Sequence, residues 1–157
     1  MRLLVVAVGR VRGSLESPVA EYEERARRYW KLEVVEVEAG ASGKNPAPGR
    51  VKDAEAERIL GRLQEGLAVV ALTRAGREMG SRDLAQELER YAIQSQPGVA
   101  FVLGGAFGLG DAVLARAHRQ LSLSSMTLPH EMARLVLAEQ LYRAGTILRG
   151  EPYHKGT

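Results

Sequence analysis

The sequence predicts an α/β fold built on a parallel sheet with helices on both faces, and three observations lead there. Arg2 to Val8, Leu67 to Leu72 and Val99 to Leu103 are continuous apolar runs, which suits strands buried on both faces rather than strands alternating between core and water. Charged segments of helical length separate the runs, so strand and helix alternate along the chain. Each run also feeds a glycine-containing loop, and parallel sheets bind ligands at the carboxyl ends of their strands.

Taken in order, the first strand stops at Gly9. Ser17-Pro18 reads as the cap and first residue of a charged helix reaching about Trp30. Leu32 to Val37 is a second strand, exposed on one face by its glutamates. The segment 39–49, AGASGKNPAPG, has the composition of a loop and carries Lys44, most simply a solvated lysine. A helix over about 51–64 precedes the Leu67–Leu72 strand. TRAGREMGS then reads as a loop with two glycines and two arginines, and Ser81 as the cap of a helix over about 82–94. After Val99–Leu103 come the cluster GGAFGLGDAV and a short helix over about 111–118. His118 on that helix reads as an exposed residue with no role.

The stretch Leu121 to Arg149 organises the rest. A short strand with Leu121 and Leu123 runs through a Ser/Thr-rich bend into one long helix, with Pro129 as its first helical residue. Apolar residues at 132, 135 to 138, 141, 144, 147 and 148 make a band wider than the stripe of a one-sided surface helix. Such a helix needs cover on two sides. Its own sheet supplies one, and a second copy of the protein is expected to supply the other, giving a homodimer.

Composition narrows the class. The 157 residues, 45% hydrophobic and 26% charged, fit one compact domain over 1–157. A net charge of +3 permits an anionic partner without demanding one. With no cysteine the chain has no disulfide, no thiol nucleophile and no thiolate metal site, which fits a reducing cytosol. The run LLVVAV is too short to span a bilayer, so a cytoplasmic protein without a membrane anchor is expected.

Three loops are candidates for a shared pocket: the one after Leu72, the cluster Gly104, Gly105, Gly108 and Gly110, and the bend Leu123 to Leu128. The cluster lacks the glycine spacing of a dinucleotide fingerprint, and Asp111 stands where a P-loop needs lysine. Read alone, it is either a tight turn or backbone brought close to a flat ligand such as adenine.

The cluster FVLGGAFGLG, the bend LSLSSMTLPHEMARLVLAEQLYRAG and the tail PYHK, with VAVGR and AGASGKN before them, together resemble the large-subunit rRNA pseudouridine N3-methyltransferases, small members of the SPOUT class. The resemblance runs the length of the chain. It implies an α/β fold whose C-terminal part forms a trefoil knot, a homodimer, S-adenosylmethionine bound in the knot, and large-subunit rRNA as substrate, and the small size and +3 charge point to that rRNA being met within the ribosome. Carried over by position, Leu72, Gly104, Leu123, Ser124, Ser125, Met126, Thr127 and Leu128 would line the cofactor site. One departure is AFG at 106–108, where some members carry a proline and an acid before the glycine; it bears on the shape of the turn.

Methyl transfer to an imide nitrogen needs alignment of donor and acceptor, removal of a proton and stabilisation of charge on the ring oxygens, and no metal. His130 falls in the first turn of the long helix, where the helix dipole disfavours imidazolium; a neutral imidazole there can act as base or donor, while on the residues alone the simpler reading is a helix-start histidine bonding a backbone carbonyl. Arg134 lies one turn on, on the same face. Arg143 is 13 residues beyond His130, roughly 20 Å along a helix, so one chain cannot place both in one pocket. It pairs with Glu139 at i, i+4, or it serves a partner's site across a dimer. In the tail, Tyr153, His154 and Lys155 offer an aromatic, an imidazole and a cation, suited to stacking on a base, moving a proton and holding a phosphate. The resemblance favours a catalytic use of Tyr153 and His154. A tRNA or uridine substrate, or a non-catalytic RNA- or ribosome-binding module, stands as the alternative on the residues alone.

Overall fold

The computed structural model describes residues 1–156. Its elements are β1 (Arg2–Val8), α1 (Glu16–Arg27), β2 (Lys31–Val37), α2 (Pro48–Leu60), β3 (Ala68–Glu78), α3 (Ser81–Ile93), β4 (Gly98–Leu103), α4 (Asp111–Arg116), β5 (Arg119–Ser122) and α5 (His130–Leu148), with short 3-10 turns at Gly13–Leu15 and Pro152–His154. The strands form one sheet in the order β2-β1-β4-β3-β5, parallel throughout.

The continuous apolar runs do what their pattern predicts. Along β1, Leu3, Val5 and Ala7 enter the core under α1, α3 and α5, while Leu4, Val6 and Val8 enter the core under α2. All six residues of β4 are buried. Each fully buried Leu or Val contributes about 1.5–3 kcal/mol relative to exposure, so this sheet is the stable platform under the loops.

The structure departs from the sequence expectations at three helix caps, one loop and two side chains. Ser17 lies inside α1, which is entered from the Gly13–Leu15 turn with Leu15 at the cap. Gly80, not Ser81, caps α3, and the Asp83 carboxylate accepts the Gly80 N–H at 3.1 Å. Pro129 is the cap of α5, one residue earlier than expected; its missing N–H costs nothing there. Most of TRAGREMGS is strand, because β3 continues to Glu78 beside β5 after a bulge between Leu72 and Arg77. Gly76 makes that possible: a Cβ there would lie 2.7 Å from the Gln120 backbone carbon, a separation no side chain tolerates. His118, although exposed, has a structural role. Its Nδ1 accepts the Val69 N–H at 2.9 Å, and its own N–H donates to the Val69 carbonyl at 2.8 Å, fixing the start of β5 on β3.

The helix α5 packs across the sheet against α1 and α3. Leu137 and Leu141 are fully buried, the Trp30 indole donates to the Leu141 carbonyl at 2.8 Å, and a Cβ on Gly145 would run into the Tyr29 ring. Arg134 is buried too, rather than lining a face with His130. Its guanidinium donates to Glu23 of α1 at 2.8 Å and to Glu36 of β2 at 2.7 Å, tying three elements together. Burial opposes the arginine's charge, but those two bonds outweigh it and leave its pKa raised.

Candidate active site

Two turns and one helix start meet at the carboxyl end of the sheet. The first turn is Gly105–Gly108, closed by the Gly108 N–H donating to the Gly105 carbonyl at 3.1 Å, with Gly108 at φ +83°, a conformation costly for other residues. Gly104 packs beneath it. A Cβ on Gly104 would sit 2.7 Å from the Gly108 carbonyl carbon, so glycine here serves the turn's own closure. The second turn is the bend after β5. The Ser122 hydroxyl donates to the Ser124 carbonyl at 2.9 Å, and the Ser124 hydroxyl accepts the Met126 N–H at 3.0 Å, so the serines spend their polar groups bracing the backbone.

Between the turns lies a cleft of about 400 Å³. Its apolar walls come from Leu72, Leu103, Leu109, Leu123 and Leu128, and its other lining includes Gly104, Ser124, Met126, Thr127 and His130. Of the residues that the resemblance assigns to the cofactor, only Ser125 is outside this lining. Arg74 crosses from β3 to donate to the Thr127 hydroxyl at 2.7 Å. His130 is exposed, with Nε2 3.9 Å from the Glu131 carboxylate; a Cβ on Gly9 would lie 3.9 Å from that same nitrogen, so the histidine stands beside the end of β1. Among the described residues no acidic side chain is in the lining itself, but the Glu131 carboxylate stands beside His130 and the buried Glu55 carboxylate lies behind Gly105. The volume, apolar walls and backbone-lined turns fit a nucleoside-sized ligand, since such pockets hold roughly 300–1,000 Å³ and are mostly apolar. Among the described residues no cluster of His, Cys, Asp or Glu could hold a metal ion, and no helix is long and apolar enough to cross a membrane.

Arg143, Tyr153 and His154 are gathered at the other end of α5. Arg143 pairs with Glu139 at 2.6 Å and lies 4.9 Å from the Tyr153 ring centroid, while the Tyr153 hydroxyl donates to the same Glu139 oxygen at 3.0 Å. The Tyr153 ring also leans on Tyr142, centroids 4.5 Å apart. His154 Nδ1 is 3.5 Å from the Thr146 hydroxyl, and Tyr29 bonds Glu151. Burial, then the bond to Glu139, push the Tyr153 hydroxyl well above the usual tyrosine value, so it holds its proton and acts as a donor. The tail is therefore folded back on its own helix. Thr146 and Glu139, which hold it there, carry no sequence signal beyond their helical spacing from Arg143.

A parallel sheet with its cleft between two tight turns beyond β4 and β5 defines the class. The family model described as "Predicted SPOUT methyltransferase" matches residues 1–154, and the chain belongs to that family of methyl-donor-using enzymes. Among curated relatives, the "Ribosomal RNA large subunit methyltransferase H" of Gemmatimonas aurantiaca is 49% identical over 99% of this chain and 100% of its own length. The protein of the same name from Pelotomaculum thermopropionicum is 46% identical over 97% of this chain and 98% of its own length. Among solved structures, a probable methyltransferase from Bordetella pertussis Tohama I superposes with a TM-score of 0.56 at 20% identity, covering 92% of this chain and 94% of that one. A probable methylase family protein from Haemophilus influenzae Rd KW20 gives 0.54 at 13% identity, covering 98% and 70%. At those identities the structures speak to the fold alone.

Proposed function

We propose that this chain methylates N3 of a pseudouridine in 23S ribosomal RNA, with S-adenosylmethionine as the donor and the assembled ribosome as the substrate particle. The observation that carries this reading is the largely apolar cleft, walled by the leucines and braced turns at the assigned cofactor positions, in a chain whose near full-length relatives share the rRNA methyltransferase name. When bound, S-adenosylmethionine supplies a methyl on a sulfonium, which passes to N3 as that nitrogen gives up its proton. Leu72, Leu123 and Leu128 would hold the adenine, and the backbone of Gly104 and the bend 123–128 would hydrogen-bond it and the ribose. We assign His130 the N3 proton or a hydrogen bond to a ring oxygen, supported by its exposed imidazole on the cleft wall.

In this reading Arg143, Tyr153 and His154 act in the cleft of a partner subunit. The support is the length of α5, which separates them from His130 by roughly 20 Å within one chain. The half-buried Leu135 and Val136 and the exposed Met132 support a dimer contact along the same helix. The trefoil knot belongs to the same proposal, supported by the turns after β4 and β5 lining one cleft on either side of β3, which runs between those strands. Mass spectrometry of rRNA from a strain lacking the gene tests the reading. A single methyl missing from a pseudouridine of 23S rRNA is the expected result, and an unchanged methylation pattern overturns it.

A further inference from the structure

Among the described residues, four large hydrophobic side chains are exposed: Ile93, Phe107, Met126 and Met132. Two of them line the cleft. Phe107, 50% exposed, sits within the Gly105–Gly108 turn, and Met126, 76% exposed, sits on the bend that lines the same cleft. Neither turn is loose, since one is closed by its own backbone hydrogen bond and the other is braced by Ser122 and Ser124. Holding an aromatic ring in water on a rigid turn stabilises nothing in the free protein. It does spare a ligand the cost of ordering that ring.

The surroundings indicate what the ring meets. Among the described residues the ionisable groups in the lining are Arg74 and His130, with the Glu131 carboxylate 3.9 Å from His130; Arg74 reaches across to Thr127 and sets a permanent cation at the mouth, which suits an anion there. Phenylalanine carries no polar atom, so it offers only a face. A flat, apolar partner attached to a polyanion is an RNA base. Single-stranded RNA bases are recognised in this way, splayed out and stacked on an aromatic side chain while a cation meets the phosphate.

We propose that Phe107 and Met126 are the two sides of a base-gripping mouth, with Phe107 stacking on the target nucleotide or its neighbour and Arg74 meeting the adjoining phosphate. The assignment rests on the RNA-modifying reading above and adds to it a specificity-determining residue for the nucleic-acid side. It places Phe107 outside the cofactor's own contacts, which the reading above gives to Leu72, Leu123 and Leu128.

Phe107→Ala, Phe107→Trp and the unaltered protein are compared in three measurements: S-adenosylmethionine affinity by calorimetry, dimer mass by light scattering, and co-sedimentation with ribosomes alongside methyl transfer. The expected result for Phe107→Ala is unchanged cofactor affinity and mass, with RNA affinity and kcat/KM lower by about tenfold, in the range that one base–aromatic stack supplies. Phe107→Trp should recover most of the loss. Equal sedimentation and transfer by Phe107→Ala overturns the proposal. So does a loss of cofactor affinity, which makes Phe107 a cofactor contact, or a loss of dimer mass, which makes the occupant a second copy of the chain. If the unaltered protein sediments with ribosomes but methylates nothing, the methyl-transfer reading fails while the comparison of binding still decides the role of Phe107.

Discussion

The two ends of α5 differ in how much of their chemistry is already in use. At its start, His130 faces an open cleft, with the Glu131 carboxylate 3.9 Å away. At its end, Arg143, Glu139 and Tyr153 satisfy one another, and the tail lies against its own helix. Open groups are ready for a ligand, whereas the closed cluster must exchange Glu139 for a new partner before it can act. The difference teaches that the residues assigned to catalysis by position are not one preassembled site within a single chain. That exchange gives up the Glu139 ion pair and the Tyr153 bond to the same carboxylate together, so a new partner must replace both.

The largest effect expected is from removing one end outright. Truncation after Gly150 should abolish methyl transfer while leaving S-adenosylmethionine affinity, read by calorimetry, nearly unchanged. Parallel loss of both would merge the two ends into one functional unit.

Next in size is Arg134→Ala, which acts between the ends. Deleting a buried guanidinium strands the Glu23 carboxylate in the core, and breaking such a pair costs about 3–5 kcal/mol. Denaturant unfolding should show that loss. A change under 1 kcal/mol would mean that water reaches Glu23 freely.

Gly104→Val is expected to be less damaging to global stability, by about 1–3 kcal/mol, but fatal to the cleft. The added Cβ strikes the backbone of Gly108 and Leu109 before it reaches any ligand, so the turn itself must shift. Leu128→Arg fills the cleft from a loop position without that collision and is the cleaner way to block the cofactor.

The smallest effect concerns the tail. Tyr153→Phe removes one hydrogen bond to Glu139, worth about 0.5–1.5 kcal/mol, and should speed hydrogen exchange only in the tail and the last turns of α5. The same bond predicts a pH window. Tyr153 has a folded pKa raised above its ordinary 10.0, so its contribution is fully present below that value and is lost as pH rises through the raised one. Tail docking should therefore be constant through neutrality. Hydrogen exchange that accelerates in the tail between pH 6 and 8, beyond its intrinsic rate, would point to another titrating group there.

How much of this was legible follows from the residues. The strands β1 and β4 announce themselves because two-sided burial leaves no polar positions, and the loops of the cleft follow from where those strands end. The polar half of β3 does not, since TRAGRE looks like a loop until Gly76 is seen lying against the backbone of β5. Arg134 reads as a neighbour of His130 and Glu36 as an exposed strand glutamate, because a sequence cannot show that they converge with Glu23 in the core. The caps at Ser17, Ser81 and Pro129 each miss by a residue or two, as expected where neighbouring glycines or prolines compete for the position. The separation of His130 from Arg143 was legible from helix rise alone, but the folding of the tail onto Glu139 was not.

The central claim is that a working site draws its two ends from two subunits, and mixing inactive subunits tests it most directly. One partner lacks the residues after Gly150, and the other carries Leu128→Arg. Each homodimer should be inactive. In the heterodimer, a tail acting in trans completes one site of the two, so refolding the pair together should restore about half of the wild-type transfer per heterodimer. No recovery in heterodimers verified by mass would return the tail to its own cleft and contradict the account.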